Sequence, residues 1–133
     1  MQDFVASKPG GWAGQVVGDG HCVAYVREAA GAPHTSQWRR GAKLHGGETF
    51  SPQPGLVIAT FDPDGTYGNH TDGRSHTALL IEVKPDGLLV WDQWVGHPVA
   101  SRLIRFKGYL GLHCDDGDRY HVVNVDTPGP AAA

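Results

Sequence analysis

The sequence predicts an α+β domain, with one N-terminal helix packed on a small antiparallel sheet of about five strands. Two observations carry this. The clearest helical pattern, Cys22–Ala30, stands alone and early in the chain. After it the apolar residues recur with period two, and Val, Ile, Leu and Thr concentrate in short runs. A helix followed by a train of strands fits α+β better than an alternating α/β architecture.

The helix is read from "GDGHCVAYVREAAG", Gly18 to Gly31. Asp19 or Gly20 is placed to cap its start. Val23, Val26 and Ala30 form one apolar stripe at helical spacing. Gly31 suits a left-handed terminus, and Pro33 stops the helix. A second helical turn is expected over Ser36–Arg40. "GLVIATFD" (Gly55–Asp62) reads as a buried strand. "SHTALLIEV" (Ser75–Val83) and "LLVWDQWV" (Leu88–Val95) read as a hairpin joined by "KPDG", whose composition suits a type I turn closed by a left-handed glycine. "VASRLIRF" (Val99–Phe106) and "RYHVVNV" (Arg119–Val125) complete the sheet. The turn-rich stretch Asp62–Arg74 is a long loop, of the kind that borders functional sites. A single domain is expected over residues 1–126, with a disordered tail at 127–133.

Composition excludes several function classes. The 133 residues are 40% apolar and 19% charged, which is globular rather than disordered. The net charge is −3 and no basic run exceeds Arg39-Arg40, so nucleic acid is not the expected partner. No apolar stretch is long enough for membrane insertion. The N-terminus lacks the basic and apolar regions of a cleavable signal.

Cys22 opens the helix, behind two glycines. A helix N-terminus favours a thiolate, and its free N–H groups can stabilise an oxyanion. A thiol nucleophile also needs a base and a group to orient that base. Eight histidines are present. His76 has the most suggestive context, at the junction of a polar loop and an apolar strand. His21 adjoins Cys22 and is a flank or a substrate contact. His34 falls in a turn, and His45, His70, His97, His113 and His121 lack a comparable context. On the following strand Asp92 and Gln93 face opposite ways. Pairing Lys84 with Leu88 puts Asp92 opposite Leu80, on the face of His76. That leaves roughly 13 Å of strand between them, which a bulge or coiling would have to shorten. Otherwise Asp92 is an acid beside Arg102 or Arg105, and a backbone carbonyl or His97 orients the base.

"GDGHCVAYVREAAG", "GRSHTALLI" and "GLLVWDQWVG" together resemble the papain-like cysteine amidohydrolases of the NlpC and CHAP type, over about Gly18 to Gly96. That resemblance implies a helix-start nucleophile at Cys22, a strand-start base at His76 and an acidic third group at Asp92. The family often carries a second polar residue two positions after the acid, where this chain has Trp94. The resemblance further implies cleavage of an amide bond in peptidoglycan, in stem peptides or crosslinks, without cofactor or metal. The chain is also similar to type VI secretion amidase effectors. This implies an antibacterial toxin made in the bacterial cytoplasm without a cleavable signal, exported, and acting in a target cell's periplasm. A cognate immunity protein would then be a second partner.

His21, Tyr67, Asn69, His70, Arg74 and Trp94 are the expected substrate contacts, Arg74 as a partner for a stem-peptide carboxylate unless, as its exposed type favours, it is simply solvated. Trp12 and Trp91 are further groove candidates, and for Trp91 and Trp94 the core is the favoured alternative. Three other readings compete. A Cys22–Cys114 disulfide would close a long loop. A zinc site from His21, Cys22, His113 and Cys114 would have irregular ligand spacing. A catalytically inactive binding module of the same fold would need no thiolate.

Overall fold

A computed structural model of the chain describes residues 3–44 and 52–125. His45 and the expected tail at 127–133 lie outside the described residues. One helix, α1 (Cys22–Ala30), packs on six strands: β1 (Trp38–Lys43), β2 (Leu56–Thr60), β3 (Thr77–Lys84), β4 (Gly87–Trp94), β5 (His97–Arg105) and β6 (Tyr120–Val125). The strands form one antiparallel sheet in the order β1-β6-β2-β3-β4-β5. The architecture is α+β as the sequence predicts, with one strand more than expected.

The extra strand is β1. The expected helical turn over Ser36–Arg40 is instead a 3-10 turn at Thr35–Gln37 running directly into β1. Trp38 is fully buried there, and its Nε1–H donates to the Pro33 carbonyl at 3.0 Å. Tertiary burial of one indole overrides the weak helical pattern of its polar neighbours.

α1 follows from its sequence. Tyr25 and Val26 are fully buried, and Val23, Ala29 and Ala30 pack beside them. Tyr25, absent from the expected stripe, has its hydroxyl donating to the Pro9 carbonyl at 2.6 Å, which ties the N-terminal segment over the helix. Gly31 ends the helix in the left-handed region (φ +68°), its N–H donating to the Arg27 carbonyl at 2.9 Å. The residue before the helix is His21, extended at φ −76°, ψ 156°. Neither Asp19 nor Gly20 is the cap, although Asp19 Oδ1 accepts from the His21 N–H at 3.1 Å.

Alternation along the strands divides the core between the two faces of the sheet. Val57, Ala59, Leu79, Val99, Val123 and Val125 pack under α1. Leu56, Ile58, Ala78, Leu80, Leu88, Val90, Ile104, Tyr120 and Val122 fill the other face. β2 is buried along its whole length because both faces are covered.

The β3–β4 hairpin decides where the site can form. Its turn is one residue tighter than expected: Lys84 pairs with Gly87, and Gly87 lies outside the left-handed region. The register then slips between Leu80 and Glu82, so that Leu80 faces Val90 and Leu79 faces Trp91. Continued, this register sets Asp92 level with Ala78, two residues from His76 rather than four. The tighter turn supplies one residue of this shortening and a bulge at Ile81 supplies the other. Among the described residues no helix is long and apolar enough to cross a membrane.

Leu79 is fully buried between β3 and α1. Leu79→Ala is expected to cost about 2–5 kcal/mol in urea unfolding. A cost under about 1 kcal/mol would contradict this placement of the core.

Candidate active site

Cys22 is the first residue of α1, and the loop before it must turn sharply. Gly18 (φ +58°) and Gly20 (φ +87°) supply the left-handed positions, and the Gly20 N–H donates to the Val17 carbonyl at 3.0 Å. A Cβ at Gly18 would sit 2.9 Å from the Ala24 Cβ, so the loop passes directly beneath the first helical turn. The sulfur lies 3.8 Å from the Tyr67 hydroxyl, and the His76 ring and the Thr77 backbone both act on it to favour the thiolate.

His76 precedes β3 and is held by backbone bonds. Its N–H donates to Thr60 Oγ1 and its carbonyl accepts from the Thr60 N–H, both at 3.0 Å. Its Nε2 lies 2.7 Å from Asp92 Oδ2, which leaves Nδ1 for the Cys22 sulfur. Asp92 is fully buried, and the same Oδ2 accepts from Arg102 Nε at 2.8 Å. The two environments weighed for Asp92 therefore coexist: it meets both His76 and Arg102.

The electrostatics follow from these contacts. Burial pushes the Cys22 thiol up, but the hydrogen bond and charge of His76 outweigh it and hold the thiol below its ordinary value. Burial pulls His76 down, yet Asp92 and Cys22 raise it to about 9. Burial likewise pushes the Asp92 carboxyl up, while His76 and Arg102 hold it below the usual range. The Cys22–His76 pair thus favours thiolate and imidazolium. Cys114 differs: burial and the nearby Asp115 charge raise its thiol.

Cys22 and His76 open on a cleft of about 480 Å³, also lined by His21, Asn69, His70, Trp94, Arg102 and Cys114. A second, larger cleft of about 930 Å³ shares His21 and Asn69 with it and reaches Trp12. Of the expected substrate contacts, His21, Asn69, His70 and Trp94 line the cleft that holds Cys22 and His76. Trp94 is 41% exposed, with His97 stacked on its ring at 3.7 Å and Arg102 above it at 5.0 Å, so it is not a core residue. His97 is accordingly committed to Trp94 and not to His76. Trp91 is half-buried against the core, close to Gly10.

Two expected contacts sit elsewhere. Tyr67 is buried behind the sulfur rather than in the open cleft. Arg74 lines neither cleft; its Nε donates to Asp72 at 2.9 Å and a terminal N–H to His70 Nδ1 at 3.1 Å. His70 Nε2 in turn meets Asp62 at 2.9 Å, so both His70 ring nitrogens are engaged within the loop. Cys22 and Cys114 are both free thiols, not a disulfide. Among the described residues no group of three or more His, Cys, Asp or Glu is arranged to hold a metal, so the zinc grouping does not assemble.

One buried group escapes a reading of the sequence. Gln93, next to Asp92, is fully buried on the α1 face and bonds to backbone at residues 17 and 21. Arg102 reaches Asp92 from β5. The only sequence signal for Gln93 was its side of the strand, opposite to Asp92.

Comparison with known proteins places the chain in a family. The model of domesticated amidase effector 2 (Dae2) matches residues 1–123. The chain is 28% identical over 107 residues to domesticated amidase effector 2 of Ixodes scapularis, covering 78% of this chain and 70% of that protein. The solved structure of type 6 secretion amidase effector 2 (Tae2) superposes with a TM-score of 0.75 at 25% identity, over 92% of this chain and 95% of that one. The chain belongs to the Dae2/Tae2 family of amidase effectors.

Proposed function

We propose that the chain is a cysteine amidase that hydrolyses an amide bond in the peptide portion of peptidoglycan. In this reading it is delivered as an antibacterial effector to a target cell's periplasm and is countered by an immunity protein in the producer. The observation that carries the reaction is the continuous chain from the Cys22 sulfur through His76 to the buried Asp92.

The steps follow from the charges. The Cys22 thiolate attacks the amide carbonyl carbon, and the carbonyl oxygen becomes an oxyanion held by N–H groups at the start of α1. The C–N bond breaks as the His76 imidazolium gives its Nδ1 proton to the departing amine. This leaves a thioester and a neutral imidazole. Water then attacks the thioester carbon while His76 takes its proton. The C–S bond breaks, releasing a carboxylic acid and restoring thiolate and imidazolium. Asp92 keeps Nε2–H oriented and favours the imidazolium throughout.

Mass spectrometry of muropeptides digested by wild type and Cys22→Ala tests the reading. Cys22→Ala is expected to lose at least about 10³-fold in rate while its circular dichroism is unchanged. Full hydrolysis by a folded Cys22→Ala would overturn the reading, as would an inert wild type. Iodoacetamide gives a second test. It is expected to label Cys22 at a pH well below the ordinary thiol range and to spare Cys114. Equal labelling of the two would contradict an activated Cys22.

The pH profile has a definite sign. Activity requires Cys22 deprotonated and His76 protonated, so kcat/KM falls below the lowered Cys22 value and above about pH 9. Asp92→Asn removes a group that raises His76, so the alkaline limb moves to lower pH. The weaker imidazolium also lets the Cys22 thiol rise, so the acid limb moves to higher pH. A neutral-pH loss of about 10²-fold is expected; limbs that stay in place would contradict the role of Asp92.

A further inference from the structure

Resting on the cysteine-amidase reading, we infer that Gln93 is a positioning residue that fixes the His21–Cys22 peptide plane and so aims the Cys22 N–H into the cleft as an oxyanion donor. Gln93 is fully buried, and its three hydrogen bonds to the loop are all to backbone. Its Oε1 accepts from the Val17 N–H at 2.9 Å, and its Nε2 donates to the Val17 carbonyl and to the His21 carbonyl, both at 2.8 Å. Both amide hydrogens are therefore used on two carbonyls of one short loop.

The bond to His21 has the chemical consequence. The His21 carbonyl also accepts the first helical bond, from the Ala24 N–H at 3.2 Å. Two donors from different directions, one on β4 and one on α1, leave that carbonyl little freedom to rotate. The peptide joining His21 to Cys22 is trans, so the Cys22 N–H points opposite to the His21 carbonyl. With the carbonyl held against the sheet and the first helical turn, the N–H is directed away from both. As the first residue of α1, Cys22 has no partner for that N–H inside the helix. A flanking loop with glycines in the left-handed region at 18 and 20 would otherwise allow the plane to tilt.

The position of Gln93 also explains why two adjacent buried polar residues occur on one strand. Asp92 projects to one face and reaches His76; Gln93 projects to the other and reaches the loop that carries Cys22. One dipeptide of β4 sets the orientation of the base and of the nucleophile from opposite sides of the sheet.

The test separates orientation of the oxyanion donor from thiolate formation and from folding. Gln93→Met removes the polar amide at similar volume; Gln93→Glu keeps the shape but sets an acceptor against two carbonyls. Each is assayed for kcat and KM on purified stem peptides, for the pH dependence of Cys22 alkylation by iodoacetamide, and for unfolding. In folded Gln93→Met, kcat is expected to fall about 10²-fold with KM and the alkylation profile within about two-fold of wild type. In Gln93→Glu, kcat relative to wild type is expected to recover as pH falls, because the protonated carboxyl regains one donor. If Gln93→Met does not fold, the pH recovery of Gln93→Glu decides. A wild-type kcat in either variant would overturn the inference. So would a loss of kcat matched by an equal loss of alkylation rate or of folded protein. A fully active Cys22→Ala would instead remove the underlying amidase reading, so the two failures are distinct.

Discussion

A carboxylate held out of water between two cations underlies the rest of this site. Asp92 Oδ2 meets His76 Nε2 at 2.7 Å and Arg102 Nε at 2.8 Å, and the residue has no exposed surface. Burying a charge costs several kcal/mol and is tolerated only where partners compensate it. Here the compensation is what makes the chemistry available. The Asp92 charge raises His76, and the charged His76 lowers Cys22. Arg102 keeps Asp92 ionised despite its burial, so the pair does not collapse to a neutral acid and a neutral imidazole.

The sheet supplies the geometry this requires. The expected β3–β4 register would leave Asp92 too far from His76, and the tighter turn together with the slip at Ile81 brings it level with Ala78. α1 sits on the other face, and its first residue reaches round the end of β3, where His76 is fixed by Thr60. Cys22 and His76 thus arrive from opposite faces of one sheet. Adjacent residues on β4, Asp92 and Gln93, grip one each. Two free cysteines share the cleft, and only the one beside His76 gains a lowered thiol value.

Much of this was legible in the chain where the signals are local. The span of α1, its glycine stop and the strand character of β2, β3 and β4 are written in short-range periodicity and turn residues. Cys22 and His76 stood out because each opens an element. β1 was missed because "WRRGAK" is an edge strand with one buried anchor, Trp38, and no apolar alternation. The hairpin register was read one residue loose at the turn, and the Ile81 bulge leaves no compositional trace. Gln93 could not be placed, since its partners lie 72–76 residues away and are backbone groups, whereas the Arg102–Asp92 contact was among the readings of the chain. Arg74 and Tyr67 were assigned to the cleft from loop membership alone. Local ion pairing took Arg74 to Asp72 and His70, and burial behind the sulfur took Tyr67.

The direct measurement is an NMR titration of the His76 ring, in wild type and in Asp92→Asn. The account predicts an imidazolium that persists to about pH 9 in wild type and a midpoint that falls sharply once the Asp92 charge is removed. A wild-type midpoint at or below the ordinary histidine value, or one indifferent to Asp92→Asn, would contradict it.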